Sequence, residues 1–495
     1  MIAPDRLRVL IAASEIYPLA KTGGLADATA ALAAALAELG VEATLVMPAY
    51  QSALDQVREL ASIAPLSSRA GVGPGRMLKG RMPDHELTVF LVDHPELYLD
   101  GGGLYVHADG SDRPNNPLRF AALSHAACAL ALGQLGQPAA DIVHANDWHT
   151  GLVPLLLAQQ REAGGPSSLF TVHNMAFQGL CPLDLLPDLD VHVEDEQFRA
   201  VEYFGQASFL KAGLVLADWL TTVSPRYAQE ICTPEFGFGL DGVIAARADR
   251  LSGILNGIDG AVWSPENSPW LPARYSLDNL DGKARCKEAL QRELGLNLDP
   301  NAPLITFVGR LTWQKMADVL LESLPLMLDA EPDRQLALLG EGDREIELGF
   351  RELAGRFPGR LAIDIGYSEA KAHRLHGGAD ILLHGSRFEP CGLTQMYAMK
   401  FGTIPVVRPV GGLADTVIDA TQESLSSGTA NGFHFDQADT EGMLEAVARA
   451  VALYRQPDSW RRLRAVAMSA DFSWQGSAQR YLALYRKLRS EARRV

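Results

Sequence analysis

The residues with the most chemical potential cluster in a few short stretches. Ser386–Gln395 reads SRFEPCGLTQ and sets an arginine, a glutamate, a proline and a cysteine ahead of a Gly-Leu-Thr run that opens a helical pattern. Pro390 suits the first turn of a helix, where its missing N–H costs nothing. The amides of Cys391, Gly392 and Leu393 would then be free to meet ligand oxygens. Glu389 accepts only when ionised, which suits sugar hydroxyls or a developing positive charge. Cys391 has the setting of a thiolate activated by a helix N-terminus, but no histidine adjoins it in sequence as a base. It is therefore taken as a contact or packing residue.

Val308–Lys315 reads VGRLTWQK. The strand-like LITFVG delivers Arg310 to its carboxyl end, where ligands of open α/β sheets bind. Lys315 follows five residues later. A guanidinium and an ammonium converging on one point suit a diphosphate, whose charge must be neutralised as it leaves. Taken singly, each is more simply an exposed cation flanking a loop. Lys21–Asp27, KTGGLAD, puts a lysine beside a glycine pair at a helix start. Close backbone approach and the helix dipole favour a phosphate there. Neither GxxxxGK[ST] nor GxGxxG is present, and a tight turn with a solvent-facing lysine explains the stretch as well.

HANDWH, from His144 to His149, and TVHN, from Thr171 to Asn174, both end strand-like runs. Histidines five apart do not share a helix face, and neither HExxH nor a Cys/His cluster accompanies them, so a non-metal role is expected. A strand-end histidine is more often structural than catalytic. Asp188-Leu189-Asp190 forms a DxD of the type that holds a divalent cation on a diphosphate. In an acidic chain, solvated loop carboxylates account for it more simply.

These residues need a frame that brings strand ends together. LRVLIAASE, ATLVMPAY, LTVFLVDH, DIVHANDWH, SLFTVHN and WLTTVS read as buried strands in the first half, with LITFVGRL, LALLGEG, LAIDIGY, ADILLHGS and TIPVVRPV in the second. Apolar runs that alternate with helical patterns predict βα units and two doubly wound α/β domains. The Gly-, Pro-, Asn- and Ser-rich segment GILNGIDGAVWSPENSP marks the boundary, which predicts a first domain over 1–255 and a second over 256–471. The amphipathic segment 472–495 is expected to rejoin the first domain. GGLAD occurs twice, at Gly23–Asp27 and Gly411–Asp415, each time at a helical start, which suggests shared architecture.

Composition narrows the function. Of 495 residues, 47% are hydrophobic and 21% charged, an ordinary globular balance. The formal net charge of -16 argues against a nucleic-acid or acidic-membrane binder, while a local cationic pocket for an anion remains compatible. Five scattered cysteines without a CxxC pair read as reduced thiols in a cytosolic protein. The N-terminal apolar run is too short for a signal peptide, and the most apolar stretch, Leu25 to Leu39, carries Asp27 and Glu38.

Together, KTGGLAD, HANDWHTGL, TVHNMAFQG, ILNGID, GRLTWQK, IGYSEA and SRFEPCGLTQMYAMKFGTIPVVRPVGGLADTV resemble the bacterial glycogen synthases and plant starch synthases, in family order and over nearly the whole chain. The resemblance implies a GT-B fold, two Rossmann-like domains facing across a deep cleft that holds the active site. It implies retaining transfer of glucose from ADP-glucose to the non-reducing 4-hydroxyl of an α-1,4-glucan such as glycogen. Carried over by motif, Lys21 would bind the donor, with Gly24 near the phosphates and Asp27 nearby. Arg310 and Lys315 would neutralise the diphosphate, without a metal or other cofactor. Tyr367 would lie against the adenine and Asn256 would contact donor or acceptor. His173 would line the glucose pocket. Glu389 would hold the glucose hydroxyls, with Cys391, Gly392, Leu393 and Thr394 beside it.

The chain departs from the family pattern at four places. Met316 stands where a glycine commonly follows QK, His384 and Gly385 replace an apolar-proline pair before SRFEP, and His434 replaces an apolar residue. Two other functions stay open at this stage. One is a related retaining transferase using UDP-glucose or a small acceptor. The other is a catalytically silent glucan-binding homologue, against which the intact Lys21, Arg310, Lys315 and Glu389 argue.

Overall fold

Strands covered by helices on both faces are apolar on both faces, and the continuous apolar runs of this chain become such strands. The computed structural model describes residues 6–67, 73–107, 111–160 and 165–493. The chain divides into two units. One runs through Gly257 and resumes at Trp474; the other is Ile258–Ser473.

The first unit contains β1 (Arg8–Ala12), β2 (Glu42–Pro48), β3 (Arg58–Leu66), β4 (Gly75–Arg81), β5 (Thr88–Asp93), β6 (Ile142–Asn146) and β7 (Ser167–Val172). A small separate sheet follows, from β8 (Leu180–Pro182), β9 (Glu202–Tyr203) and β10 (Gln206–Ser208), before β11 (Trp219–Thr222) and β12 (Leu251–Gly253). The main sheet has the order β12-β11-β7-β6-β1-β2-β5-β4-β3. It is parallel from β12 to β5, and β4 and β3 add an antiparallel edge. β3 and β4 escape an apolar-run search for a physical reason. β3 is largely exposed and contains Pro65, both tolerated at an edge where one row of backbone groups goes unpaired.

The order β5-β2-β1-β6-β7-β11 is the doubly wound 3-2-1-4-5-6, which reverses between β1 and β6. The Ala-rich helix Gly24–Glu38 follows β1 and packs against the C-terminal helix Trp474–Ala492. That helix is fastened to the first unit. Tyr485 Oη lies 2.7 Å from His144 Nδ1, and Arg250 pairs with Glu491 at 2.8 Å.

The second unit repeats the plan with β13 (Leu304–Val308), β14 (Gln335–Gly340), β15 (Leu361–Ile365), β16 (Ile381–His384), β17 (Ile404–Val407) and β18 (Phe433–His434). All six are parallel, in the order β15-β14-β13-β16-β17-β18. This too is 3-2-1-4-5-6, and it reverses between β13 and β16. A buried clamp fixes the starts of those two strands: Lys287 Nζ lies 2.7 Å from Asp380 Oδ2, which also accepts the Leu304 amide at 3.1 Å. Ligands of such sheets bind beyond the carboxyl ends of the strands at the reversal, so each unit's fold nominates its own site. Among the described residues no helix is long and apolar enough to cross a membrane.

Candidate active site

In the second unit the reversal brings together the chain after β13 and the chain after β16. Two ion pairs stitch these loops. Arg387 grips Asp318 with both terminal nitrogens, at 2.8 and 2.9 Å, and donates to the Trp313 carbonyl at 2.6 Å. Lys315 Nζ pairs with Glu389 Oε2. The backbone follows suit, with the Arg387 amide donating to the Gln314 carbonyl at 2.8 Å. The charged pair in SRFEP therefore serves two purposes: the arginine braces the loops and the glutamate meets the lysine.

Glu389 is 6% exposed and is held by one oxygen. Oε2 faces Lys315 Nζ, accepts from Ser386 Oγ at 2.8 Å, and lies 3.2 Å from His384 Nε2. Among the described residues Oε1 has no hydrogen-bond partner, so that oxygen remains for a ligand. Burial alone would push this carboxyl's pKa up. The Lys315 ammonium, with the His384 hydrogen bond, outweighs it and holds the group well below the usual carboxylate range. Glu389 is thus ionised at neutral pH.

Arg310 emerges exposed just beyond β13 and donates to Gln314 Oε1 at 3.0 Å. It and Lys315 rise from the same loop, but they spend their donors on different partners. Tyr367, 63% exposed, lies two residues past β15 on the same edge of the sheet.

The turn after Glu389 differs from the sequence expectation. The helix begins at Thr394, and Pro390 precedes it instead of entering its first turn. Gly392 takes φ +69°, which breaks the helical path, and the Gln395 side chain donates to the carbonyl of Gly392 at 2.8 Å. Cys391 is buried. The second GGLAD packs directly on this turn. The Gly412 amide donates to the Glu389 carbonyl at 3.1 Å, and a Cβ on Gly411 would lie 1.9 Å from that same oxygen. Gly411 also has φ +47°.

The first copy follows β1 and the second follows β17, the first and fifth strands of their respective units. The echo is therefore not one architectural position used twice. Each copy does open a helix, at Gly24 and at Gly411. His434 has a packing explanation, since its Nε2 lies 2.9 Å from the Val417 carbonyl.

In the first unit the reversal gathers a second group. Lys21 is not a free cation: its Nζ reaches both oxygens of Asp27, each at 2.9 Å. Gly24 is exposed at the first position of its helix. Glu15, after β1, accepts from the amide and, at 2.8 Å, the hydroxyl of Thr22. Burial raises the Glu15 pKa to about 7. Asp147, after β6, is strained at φ +59° and accepts the His173 amide at 3.2 Å. Burial also brings Asp147 to about 7. Neither carboxyl was singled out from the sequence, although each ends a strand-like run.

His173 places Nε2 3.0 Å from Asn146 Oδ1. The Asn146 amide nitrogen donates to the carbonyls of Ala12 and His144, so Oδ1 is the acceptor and the histidine proton sits on Nε2. His173 Nδ1 is left as an acceptor. Burial lowers its pKa to about 4, so the ring is neutral at pH 7.

His144 and His149 have packing roles. His144 lies between Tyr485 Oη and Thr171 Oγ1, and His149 stacks on Trp148 with ring centroids 4.1 Å apart. Asp188 and Asp190 are exposed on either side of buried Leu189. Asn256 is buried three residues past β12.

Two doubly wound sheets with polar groups at their strand reversals match the GT-B plan of the glycosyltransferases that the sequence resembles. The sequence model of the starch synthase catalytic domain matches residues 8–246, and that of glycosyl transferases group 1 matches 290–463. The glycogen synthase of Burkholderia thailandensis is 50% identical over 97% of this chain and 90% of its own length. That of Thioalkalivibrio sulfidiphilus is 45% identical over 97% and 100%. The catalytic domain of starch synthase IV from Arabidopsis thaliana, bound to ADP and acarbose, superposes with a TM-score of 0.88 at 31% identity, covering 98% of this chain and 100% of that one. The chain belongs to the glycogen synthase family.

Proposed function

We propose that the chain transfers glucose from ADP-glucose to the non-reducing 4-hydroxyl of an α-1,4-glucan, with retention of anomeric configuration. The observation that carries this reading is the Glu389 carboxylate, anchored through Oε2 with Oε1 open. In the second unit, Oε1 takes glucosyl hydroxyls and stabilises positive charge near the anomeric carbon, while Arg310 and Lys315 meet the departing diphosphate. Tyr367 offers its exposed ring to the adenine, and Cys391, Gly392, Leu393 and Thr394 form the turn beside the sugar. From the first unit, Lys21, Gly24, Asp27 and Asn256 bind substrate, and the bare Nδ1 of His173 accepts a glucose hydroxyl. The ADP carried by the starch synthase IV structure supports an adenine donor.

The acceptor hydroxyl attacks the anomeric carbon on the face from which the diphosphate leaves. The anomeric carbon–phosphate oxygen bond breaks, the bond to the acceptor oxygen forms, and the acceptor proton passes to a diphosphate oxygen. We place the reaction in the cytosol, which suits the free cysteines among the described residues.

The test is release of nucleoside diphosphate from ADP-glucose and from UDP-glucose, with and without glycogen, for the wild type and Glu389→Ala. The expected result is glycogen-dependent release from ADP-glucose that the substitution abolishes. Release from UDP-glucose alone would overturn the donor. Glycogen binding without release from either donor would mark a silent homologue.

A further inference from the structure

Among the groups around Glu389, His384 is the titratable side chain that the proposed chemistry does not use. It ends β16, is 4% exposed, and brings Nε2 to 3.2 Å from Glu389 Oε2 and 3.3 Å from Lys315 Nζ. Its Nδ1 is buried without a hydrogen-bond partner. Burial, followed by the neighbouring Lys315 ammonium, lowers its pKa, so the ring is neutral at pH 7.

The two neutral tautomers are not equivalent here. With the proton on Nδ1, a buried donor goes unpaired and the Nε2 lone pair faces a carboxylate. With the proton on Nε2, the ring donates to Oε2 at 3.2 Å and only an acceptor goes unpaired; the 3.3 Å contact from Lys315 Nζ is given up, and the bond to a carboxylate outweighs it. In that tautomer the ring accepts nothing from Lys315, whose N–H bonds stay available to Glu389 and to a ligand.

We propose that His384 is a positioning residue that donates from Nε2 to Glu389 Oε2, fixing the carboxylate so that Oε1 faces the reacting sugar and Lys315 keeps donors for the diphosphate. With Lys315 and Ser386 it makes the hold on Oε2 threefold. The proposal rests on the reading of Glu389 as the group that meets the glucosyl unit.

The test compares His384→Val, which removes the donor but keeps apolar bulk, with His384→Gln, which returns an N–H at similar reach. Loss of one hydrogen bond to a charged group predicts a fall in kcat of about 10-fold or more for the Val variant. The KM for the nucleotide sugar should stay near wild type, and the Gln variant should recover most of the kcat. Imidazole nitrogen-15 shifts, with the His384 signals assigned by their loss in the Val variant, should put the proton on Nε2 at pH 7 whether or not the enzyme turns over. Thermal melting identifies a variant that has simply unfolded, and the shifts in the wild type then decide. Wild-type kcat in the Val variant, an equal loss in both variants, or a bare Nε2 would overturn the proposal. Glu389→Gln is measured alongside. If it remains active, the reading of Glu389 fails, while the nitrogen shifts still report on His384.

Discussion

Met316 sits at φ 53°, ψ 33° with no solvent exposure, at the start of the helix Ala317–Ala330. The left-handed conformation costs a residue with a Cβ about 1–2 kcal/mol. Glycine would escape that cost, but removing a buried methionine side chain costs about 2–5 kcal/mol. The second effect is the larger, so Met316→Gly should destabilise by about 2 kcal/mol, the difference of the two mid-range values, within a span of about 0–4 kcal/mol. Gly385 shares the same space. A Cβ there would lie 3.3 Å from Met316 Cβ, 3.3 Å from Met443 Cε and 3.4 Å from Met316 Sδ. Gly385→Ala alone gains about 0.4–1 kcal/mol from the unfolded state but must push two methionines aside, for a net loss. With Met316→Gly in place two of these three contacts are gone and only the end of the flexible Met443 side chain must yield, so the same substitution should stabilise. The expected coupling is about 1–2 kcal/mol, favouring the double variant. Urea unfolding of the four proteins measures it. Two units can give two transitions, and the one that moves with Met316 is followed throughout. Additivity within about 0.5 kcal/mol would refute the shared-volume argument.

Two further outcomes follow from the charged groups. Lys315→Ala should lower kcat by about 100-fold or more, the scale of a lost electrostatic contact to developing charge. It should also lower the melting temperature, because the buried Glu389 carboxylate is then held only by His384 and Ser386; comparable turnover in the two folded proteins would remove Lys315 from the mechanism. Asp147 has its folded pKa raised to about 7, so its contribution to stability is fully present below about pH 4 and is lost as pH rises through about 7. Asp147→Asn should therefore stabilise at pH 8 by up to about 4 kcal/mol, at 1.36 kcal/mol per pKa unit, and change little at pH 4; equal effects in urea unfolding at both pH values would show that Asp147 is not buried as described.

Much of the architecture was legible because it is written in local pattern. Every apolar run taken as a strand is one, and Arg310, Lys315 and Glu389 fall at strand ends because a doubly wound sheet delivers its loops there. What was not legible depends on partners far apart in the chain. Arg387 and Asp318 are 69 residues apart, as are His384 and Lys315, and no periodicity reports such pairs. The pairing of Lys21 with Asp27 spans six residues and matches no helical spacing, so KTGGLAD looked like a free cation beside a glycine turn. Asp147 and Glu15 owe their character to burial, which one strand-end carboxylate among many does not announce.

The repeated GGLAD shows why a short pattern can be right about conformation and silent about cause. Both copies open helices, and both place two glycines at the first turn. At the first copy a Cβ on Gly23 would meet nothing closer than Glu15 Oε1 at 3.8 Å, so packing against the protein does not require the glycine. What the bare backbone leaves there is open space beside Lys21. At the second copy a Cβ on Gly412 would lie 2.0 Å from the Cys391 carbonyl oxygen, and one on Gly411 would strike the Glu389 carbonyl. Here the glycines are required by the protein itself, because the helix must touch the turn that carries the carboxylate. One pentapeptide thus leaves an exposed helix start in one unit and buttresses Glu389 in the other. The letters are identical, and only the neighbours supplied by the fold tell the two uses apart.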